Sequence, residues 1–342
     1  MNWKIDGVSK SLSEWKILIN SKELPEHEVF DFLRAWWGSE SFMPAETSGS
    51  TGSPKSIQLE KQFMTSSAVT TGSYFNLKVE STALLCLPLQ YIAAKMMLVR
   101  ALVNNWNIEI IAASIQPKIP ETEFDFCSFT PMQMEKLLAN DPEAVERIKI
   151  ILLGGAAVNS SLHKKIERLN SAVYLSYGMT ETASHVAIRK LNGRNATEHF
   201  HSTGEFKFSS DHRQCLSISH EQSAQQWQTN DTVEILNEKE FKLLGRIDNV
   251  INSGGLKIQP EEIESILSNH FEFPFYISSR KDQLLGEKLI LVAEGELDAQ
   301  HIQQQIDKIF NGLPASKKPK EILVLNKLER TANDKIIRRK YD

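Results

Sequence analysis

Residues 148–182 read IKIILLGGAAVNSSLHKKIERLNSAVYLSYGMTET. The apolar run at 148–153 predicts a buried strand, the stretch at 160–169 a helix, and 172–176 a second strand. Two strands joined by a helix are the unit of a parallel sheet covered by helices. Upstream the same alternation continues, with helices expected at 60–75, 92–104 and 132–140 and strands at 83–87, 108–112 and 126–129. Nearer the start, 13–20 reads as a short helix or strand. Residues 26–37 carry a helical stripe of Val29, Phe30, Leu33, Trp36 and Trp37.

Downstream the pattern changes. From about residue 199, short segments at 203–208, 215–219, 232–236 and 241–243 are separated by turn residues, as in antiparallel structure. From 246 a small unit is expected, with helices at 260–268 and 299–310 and strands at 275–278, 289–294 and 321–325. Acidic residues in the first turn of 260–268 suit the positive end of a helix dipole. The fold class is therefore α/β: a large domain at 1–245, with a mostly parallel, helix-covered sheet plus a β-rich part, and a small mobile α+β domain at 246–342.

Composition narrows the function. The chain has 342 residues, 41% hydrophobic and 24% charged, with a net charge of −4. These values suit a folded protein of about two domains and offer no global basic field for nucleic acid. Cys86, Cys127 and Cys215 are odd in number and widely spaced, which argues against a disulfide framework or a zinc site and for a reducing, cytoplasmic setting. No apolar stretch has the length of a signal peptide or a membrane span, so no membrane insertion is expected.

Three segments carry chemistry. The loop TSGSTGSPK at 47–55 has little side-chain bulk, so backbone N–H groups can turn toward an anion while hydroxyls and a lysine add donors. Pro54 stands where a Walker loop has glycine, and Ser48 breaks a nucleophile elbow. A Gly/Ser loop alone is equally a flexible linker. The segment YGMTETA follows a strand and is expected to put Tyr177, Thr180 and Glu181 on one turn at its carboxyl end, where open α/β sheets bind ligands. A carboxylate beside hydroxyls can hold Mg²⁺; an exposed surface loop is the plainer reading. In GRIDNVINSGGLKIQPEEIE at 245–264, Gly254-Gly255 permits unusual backbone angles; an interdomain turn would look the same. The stretch 313–342 holds nine Lys/Arg against four Asp/Glu, which composition alone reads as a solvated basic face.

Together, in this order and spacing, these segments resemble the adenylate-forming superfamily of acyl-CoA synthetases, luciferases and peptide-synthetase adenylation domains. TSGSTGSPK resembles its phosphate signature, YGMTET its adenylate-binding signature, GRIDNVINSGGLKIQPEEIE its hinge, and RTANDKIIRRK its tail with a catalytic lysine. The stretches IQPEEIES, Thr229-Asn-Asp231 and YGMTETASHVAIRK resemble, within it, the o-succinylbenzoate–CoA ligases of menaquinone biosynthesis.

The resemblance implies ATP, Mg²⁺ and coenzyme A as co-substrates and cofactor, and a small carboxylic acid as substrate. It places Thr47, Ser48, Ser50, Thr51 and Lys55 on the β- and γ-phosphates. Gly154, Gly155 and Ala156 line the adenine and acyl pocket, and Tyr177-Gly178 lies against adenine. Thr180 meets the α-phosphate, Glu181 binds Mg²⁺, and Asp231 takes the ribose hydroxyls with Arg246 nearby. Lys335 bridges the carboxylate and the α-phosphate, Asp248 is the hinge, and Gly255 faces the pantetheine channel. Arg100, a guanidinium in an apolar helix, is costly to bury unless an anion meets it. The resemblance makes that anion the substrate's second carboxylate, and the alternative is an internal ion pair or a snorkelling side chain.

Departures from the pattern are specific. Tyr91 stands where a histidine is common in the acyl-pocket gate, Asn230 replaces a glycine, and Asp334 precedes the lysine where glycine is usual. Only 46 residues precede the phosphate loop, fewer than the family's usual N-terminal portion. A second copy of the chain is therefore expected to cover apolar surface near Trp36 and Trp37, making a homodimer; burial of the two tryptophans in the chain's own core is the plainer reading. Another aryl- or acyl-acid CoA ligase, a luciferase-like oxidase and a non-catalytic nucleotide-binding homologue stay open as alternatives.

Overall fold

The apolar runs fold into the parallel sheet they predict. The computed structural model describes residues 1–21, 24, 26–47, 55–221, 223–330 and 336–342. The chain divides into two units, 1–158 with 165–206, and 159–164 with 207–342. The boundary expected at 245/246 lies inside the second of these units.

In chain order the elements of the first unit are β1 (Asn2–Ile5), β2 (Val8–Ser11), α1 (Leu12–Ser21), α2 (Glu28–Trp37), β3 (Phe42–Thr47), β4 (Lys55–Glu60), α3 (Lys61–Tyr74), β5 (Thr82–Leu85), α4 (Ile92–Val103), β6 (Asn107–Ile110), β7 (Phe124–Phe129), α5 (Pro131–Asn140), α6 (Pro142–Glu146) and β8 (Ile148–Leu153). After α7 (Ser160–Ile166), which spans the division, come β9 (Ala172–Met179), β10 (Ser184–Lys190) and β11 (Phe200–Ser202). The sheet runs β11-β10-β9-β8-β7-β5-β6-β1-β2. Its centre is parallel, with Leu84 beside Cys127, Phe126 beside Ile150 and Ile151 beside Val173. Side chains there are apolar on both faces because helices leave neither face to water. The core gathers Trp3, Met97, Trp106 and Phe126, each fully buried.

Two features of this unit were not legible as read. The first eleven residues form a hairpin turning at Asp6-Gly7, both with positive φ, the Asp-Gly pair that a two-residue turn favours. Trp36 and Trp37 pack against the unit's own core. Trp36 stacks on Phe32 at 6.2 Å, and the Lys16 ammonium lies over the Trp37 ring. They give no support to a surface awaiting a second copy.

The second unit holds β12 (Phe206–Ser210), β13 (Cys215–His220), β14 (Ser223–Asn237), β15 (Glu240–Arg246), β16 (Ile251–Ser253), β17 (Leu256–Ile258), α8 (Pro260–Leu267), β18 (Phe275–Asp282), β19 (Gly286–Glu294), α9 (Ala299–Ile309) and β20 (Glu321–Leu325). β12 to β15 follow one another as neighbours in a sheet, antiparallel at the β13–β14 and β14–β15 pairs. Ile263, Leu267, Ile277, Leu291, Ile302 and Ile306 close a separate core where α8 and α9 meet β18 and β19. Among the described residues, no helix is long and apolar enough to cross a membrane.

Candidate active site

In the first unit the carboxyl ends of β8 and β9 lie side by side, Leu153 opposite Leu175. Gly154 follows β8 and its N–H donates to Phe129 O at 3.1 Å. A Cβ on Gly154 would come within 2.8 Å of the Ser176 hydroxyl, which itself donates to Leu153 O. Gly155 has φ +86°, and Gly155 and Ala156 are exposed at this edge.

The signature segment is not all turn. β9 runs on through Tyr177 and Gly178, so these two belong to the strand, paired with Ala187 and His185 of β10. Strand pairing with a residue as small as glycine brings the chains close. A Cβ on Gly178 would fall 2.1 Å from Ser184 O and 2.6 Å from His185 Cα. The Tyr177 ring packs edge-on to Phe200 at 5.8 Å. Only Thr180–Thr182 form the expected turn, a single 3₁₀ turn closed by Ala183 at φ +56°. Thr180 and Thr182 are buried, while Glu181 is exposed.

β3 packs beside this turn. The hairpin it forms with β4 ends at the pair Thr47–Lys55. Thr47 Oγ1 accepts from Lys55 N at 3.2 Å, and Lys55 is exposed. The phosphate-loop residues Ser48, Ser50 and Thr51 lie outside the described residues, as does Lys335. One edge of this unit thus gathers hydroxyls, an exposed carboxylate and an exposed lysine. One carboxylate suits Mg²⁺ held jointly with phosphate oxygens, and hydroxyls and a lysine suit the phosphates themselves.

Arg100 is 1% exposed. Its Nε donates to Thr71 Oγ1 at 3.1 Å and its Nη2 to Ser184 Oγ at 2.6 Å and His185 Nδ1 at 3.3 Å. Among the described residues its Nη1 reaches only the Met97 sulfur, at 3.8 Å. The expected alternatives, an internal ion pair or snorkelling, are both absent: among the described residues no carboxylate pairs with it, and it does not reach water. Burial lowers the guanidinium to about 9, still a cation at neutral pH. Burial, with Arg100 beside it, also holds His185 well below its usual 6.5. Tyr91 sits half-buried just before α4, its N–H on Pro88 O, nine residues from Arg100.

In the second unit Arg246 pairs with Asp231 at 3.2 Å, its register partner across β14 and β15, and with Asp248 at 2.6 Å. Asp248 lies in a 3₁₀ turn, Ile247–Asn249. Gly254-Gly255, at φ +57° and +79°, form the two-residue turn between β16 and β17. Nothing lies within 4 Å of a Cβ built on Gly255, so its backbone angle and not crowding asks for glycine.

Two polar residues of these sites escaped sequence reasoning. Asn230, read only as a departure, donates to both Asp248 oxygens and accepts from Arg213. Lys95, one turn into the apolar helix α4, donates to Pro44 O at 2.7 Å and so ties α4 to β3. Burial lowers its ammonium despite nearby Glu46. Its signal was available: a lysine among apolar helix positions, as for Arg100.

Residues 47–210 match the family described as AMP-binding enzyme. The crystal structure of an acyl-CoA synthetase (AMP-forming)/AMP-acid ligase II-like protein from Dyadobacter fermentans is 36% identical, covering 94% of this chain and 95% of that one, with a TM-score of 0.64. A 2-succinylbenzoate–CoA ligase of Haemophilus influenzae is 26% identical over 74% of this chain. That match takes in 60% of the ligase, so the chain spans less than two thirds of its length. The o-succinylbenzoate coenzyme A synthetase of Bacillus subtilis, solved with ATP and magnesium, is 21% identical, covering 86% of this chain and 68% of that one, with a TM-score of 0.72. At that identity the likeness is one of fold.

Proposed function

The chain belongs to the family of AMP-binding, adenylate-forming enzymes, and from that premise we propose that it is an ATP-dependent ligase joining o-succinylbenzoate to coenzyme A, a step of menaquinone biosynthesis. The observation that carries the substrate is Arg100, a buried cation whose hydrogen-bond partners among the described residues are all neutral. o-Succinylbenzoate has two carboxylates and only one is activated. The other needs a cation, and the planar fork of a guanidinium suits it.

In the proposed reaction one substrate carboxylate attacks the α-phosphorus of ATP, pyrophosphate leaves, and an acyl-adenylate forms. The coenzyme A thiol, losing its proton, then attacks the acyl carbon and AMP leaves. Thr47, Ser48, Ser50, Thr51 and Lys55 would hold the distal phosphates. Gly154, Gly155, Ala156, Tyr177 and Gly178 would border the base and acyl group, and Thr180 the α-phosphate. Glu181 would hold magnesium, which when bound neutralises phosphate charge. Asp231 would accept from the ribose hydroxyls, with its orientation set by Arg246. Tyr91 would border the acyl group and Gly255 the pantetheine arm. Lys335 would place a cation where negative charge builds in the first step. Asp248 would be the hinge at which residues 246–342 rotate between the two steps.

Mixing the protein with ATP, Mg²⁺ and o-succinylbenzoate tests this reading. Pyrophosphate should be released, and AMP should follow once coenzyme A is added. No release above the acid-free control would leave a nucleotide-binding homologue in its place. Lys335→Ala should stop adenylate formation yet spare thioester formation from supplied acyl-adenylate. Equal loss in both half-reactions would refute its assigned role.

A further inference from the structure

Four polar side chains from three elements meet inside the first unit: Thr71 of α3, Arg100 of α4, and Ser184 and His185 of β10. Their hydrogens can be counted. The Thr71 hydroxyl lies 2.9 Å from Ser67 O, which can only accept, so its proton is spent there. Its lone pairs then face two donors, Arg100 Nε at 3.1 Å and His185 Nε2 at 3.3 Å. His185 must therefore carry its hydrogen on Nε2. That leaves Nδ1 with a lone pair, facing Arg100 Nη2 and the Ser184 hydroxyl, each at 3.3 Å. Arginine can only donate, so a hydrogen on Nδ1 would set donor against donor and, if both nitrogens were protonated, cation against cation. Three of the guanidinium's five hydrogens are thus fixed by neutral acceptors. Nη1 is left with a sulfur at 3.8 Å and one further hydrogen that has no acceptor among the described residues. Two members of the cluster adjoin the signature turn in the sheet, Ser184 paired with Met179 and His185 with Gly178.

We propose that His185 is a positioning residue for the substrate: the lone pair on its Nδ1 holds the Arg100 guanidinium so that Nη1, which meets no oxygen among the described residues, is the end that takes the non-reacting carboxylate of the acid. This rests on the substrate reading of Arg100 given above. The ring acts as a neutral two-ended link, accepting from Arg100 and donating to Thr71. Its acceptor end replaces the carboxylate that usually orients a buried arginine. A protein carboxylate there would neutralise Arg100 and leave the substrate nothing to pair with; a neutral acceptor orients the fork and keeps its charge for the ligand.

The test compares KM values for o-succinylbenzoate, for its ester at the non-reacting carboxylate, and for ATP. His185→Leu, which removes both ends of the link, should raise KM for o-succinylbenzoate on the order of 10-fold. The other two should stay within about 2-fold. His185→Gln, which retains an acceptor and a donor, should return the first value to within about 3-fold of the parent. If all three KM values move together in a folded His185→Leu protein, or none does, His185 is structural and the proposal falls. If Arg100→Ala also leaves the o-succinylbenzoate KM unchanged, the substrate reading falls with it. An effect at Arg100 without one at His185 overturns only the present proposal. Should the leucine variant not fold, ¹⁵N NMR of histidine in the parent protein decides, with the signal assigned by its loss in His185→Gln. A ring bearing hydrogen on Nε2 alone at pH 7 supports the proposal, and one bearing hydrogen on Nδ1 overturns it.

Discussion

Two arginines of this protein are held in opposite ways. Arg246 stands half-exposed between two carboxylates, Asp231 and Asp248. Arg100 is sealed in the first unit among a threonine, a serine and a neutral histidine. Water already solvates the first, so its ion pairs are worth little and can exchange. The second gives up water with no opposite charge in return among the described residues, a state folding alone does not favour. A paired, wet arginine suits a place that must change partners, as a hinge or a ribose grip does. A dry arginine with neutral partners suits a place that waits for an anion.

If the buried cluster depends on close strand approach, the largest effect should come from Gly178→Ala. Its Cβ would fall 2.1 Å from Ser184 O, a backbone atom that cannot swing away. A stability loss of about 3 kcal/mol or more is expected in denaturant melts, at the upper end for overpacking. A neutral result would mean that β9 and β10 part easily and that the cluster is less rigid than it looks.

Arg100→Ala comes next. KM for o-succinylbenzoate should rise on the order of 10- to 100-fold, as for a lost charge-assisted pair of roughly 1.5–3 kcal/mol. KM for ATP should hardly move. Equal changes in both would put the two arginines in the same structural class and erase the contrast.

Acid sharpens the contrast further. Unfolded, His185 takes up a proton as pH falls through 6.5, and the folded ring resists because it is buried beside Arg100. The unfolded state then binds more protons, so stability is full above pH 6.5 and is lost progressively below it. His185→Gln should remove this part of the acid loss. Melting curves from pH 7 to pH 5 should be flatter for the variant than for the parent, and parallel curves would contradict a neutral buried ring.

The smallest effect should come from Arg246→Ala. Each exposed ion pair contributes about 0–1 kcal/mol, so the melting curve should barely shift. A loss as large as that of Gly178→Ala would show the Asp231–Arg246–Asp248 group to be structural.

Much of the fold was legible because burial writes itself into period and length. The strands at 148–153 and 321–325 lie where their apolar runs predict, and the helices at 92–103 and 260–267 end within one residue of expectation. The extension of β9 through Gly178 was not legible. Glycine reads as a turn, and its reason for sitting in a strand is the Ser184 backbone across the sheet. Arg100 announced itself as a charge in an apolar helix. His185 did not, since one histidine in an alternating strand looks like any half-buried residue. Its meaning comes from Thr71 and Arg100, 114 and 85 residues away in sequence.

The most direct measurement is coenzyme A thioester formation by the unmodified protein across a panel of acids of similar size, with one or two carboxylates. o-Succinylbenzoate should be turned over with the highest kcat/KM, and its ester at the non-reacting carboxylate should fall behind on the order of 10-fold or more. An acid with a single carboxylate used as well as o-succinylbenzoate would contradict the account, because Arg100 would then hold no substrate charge.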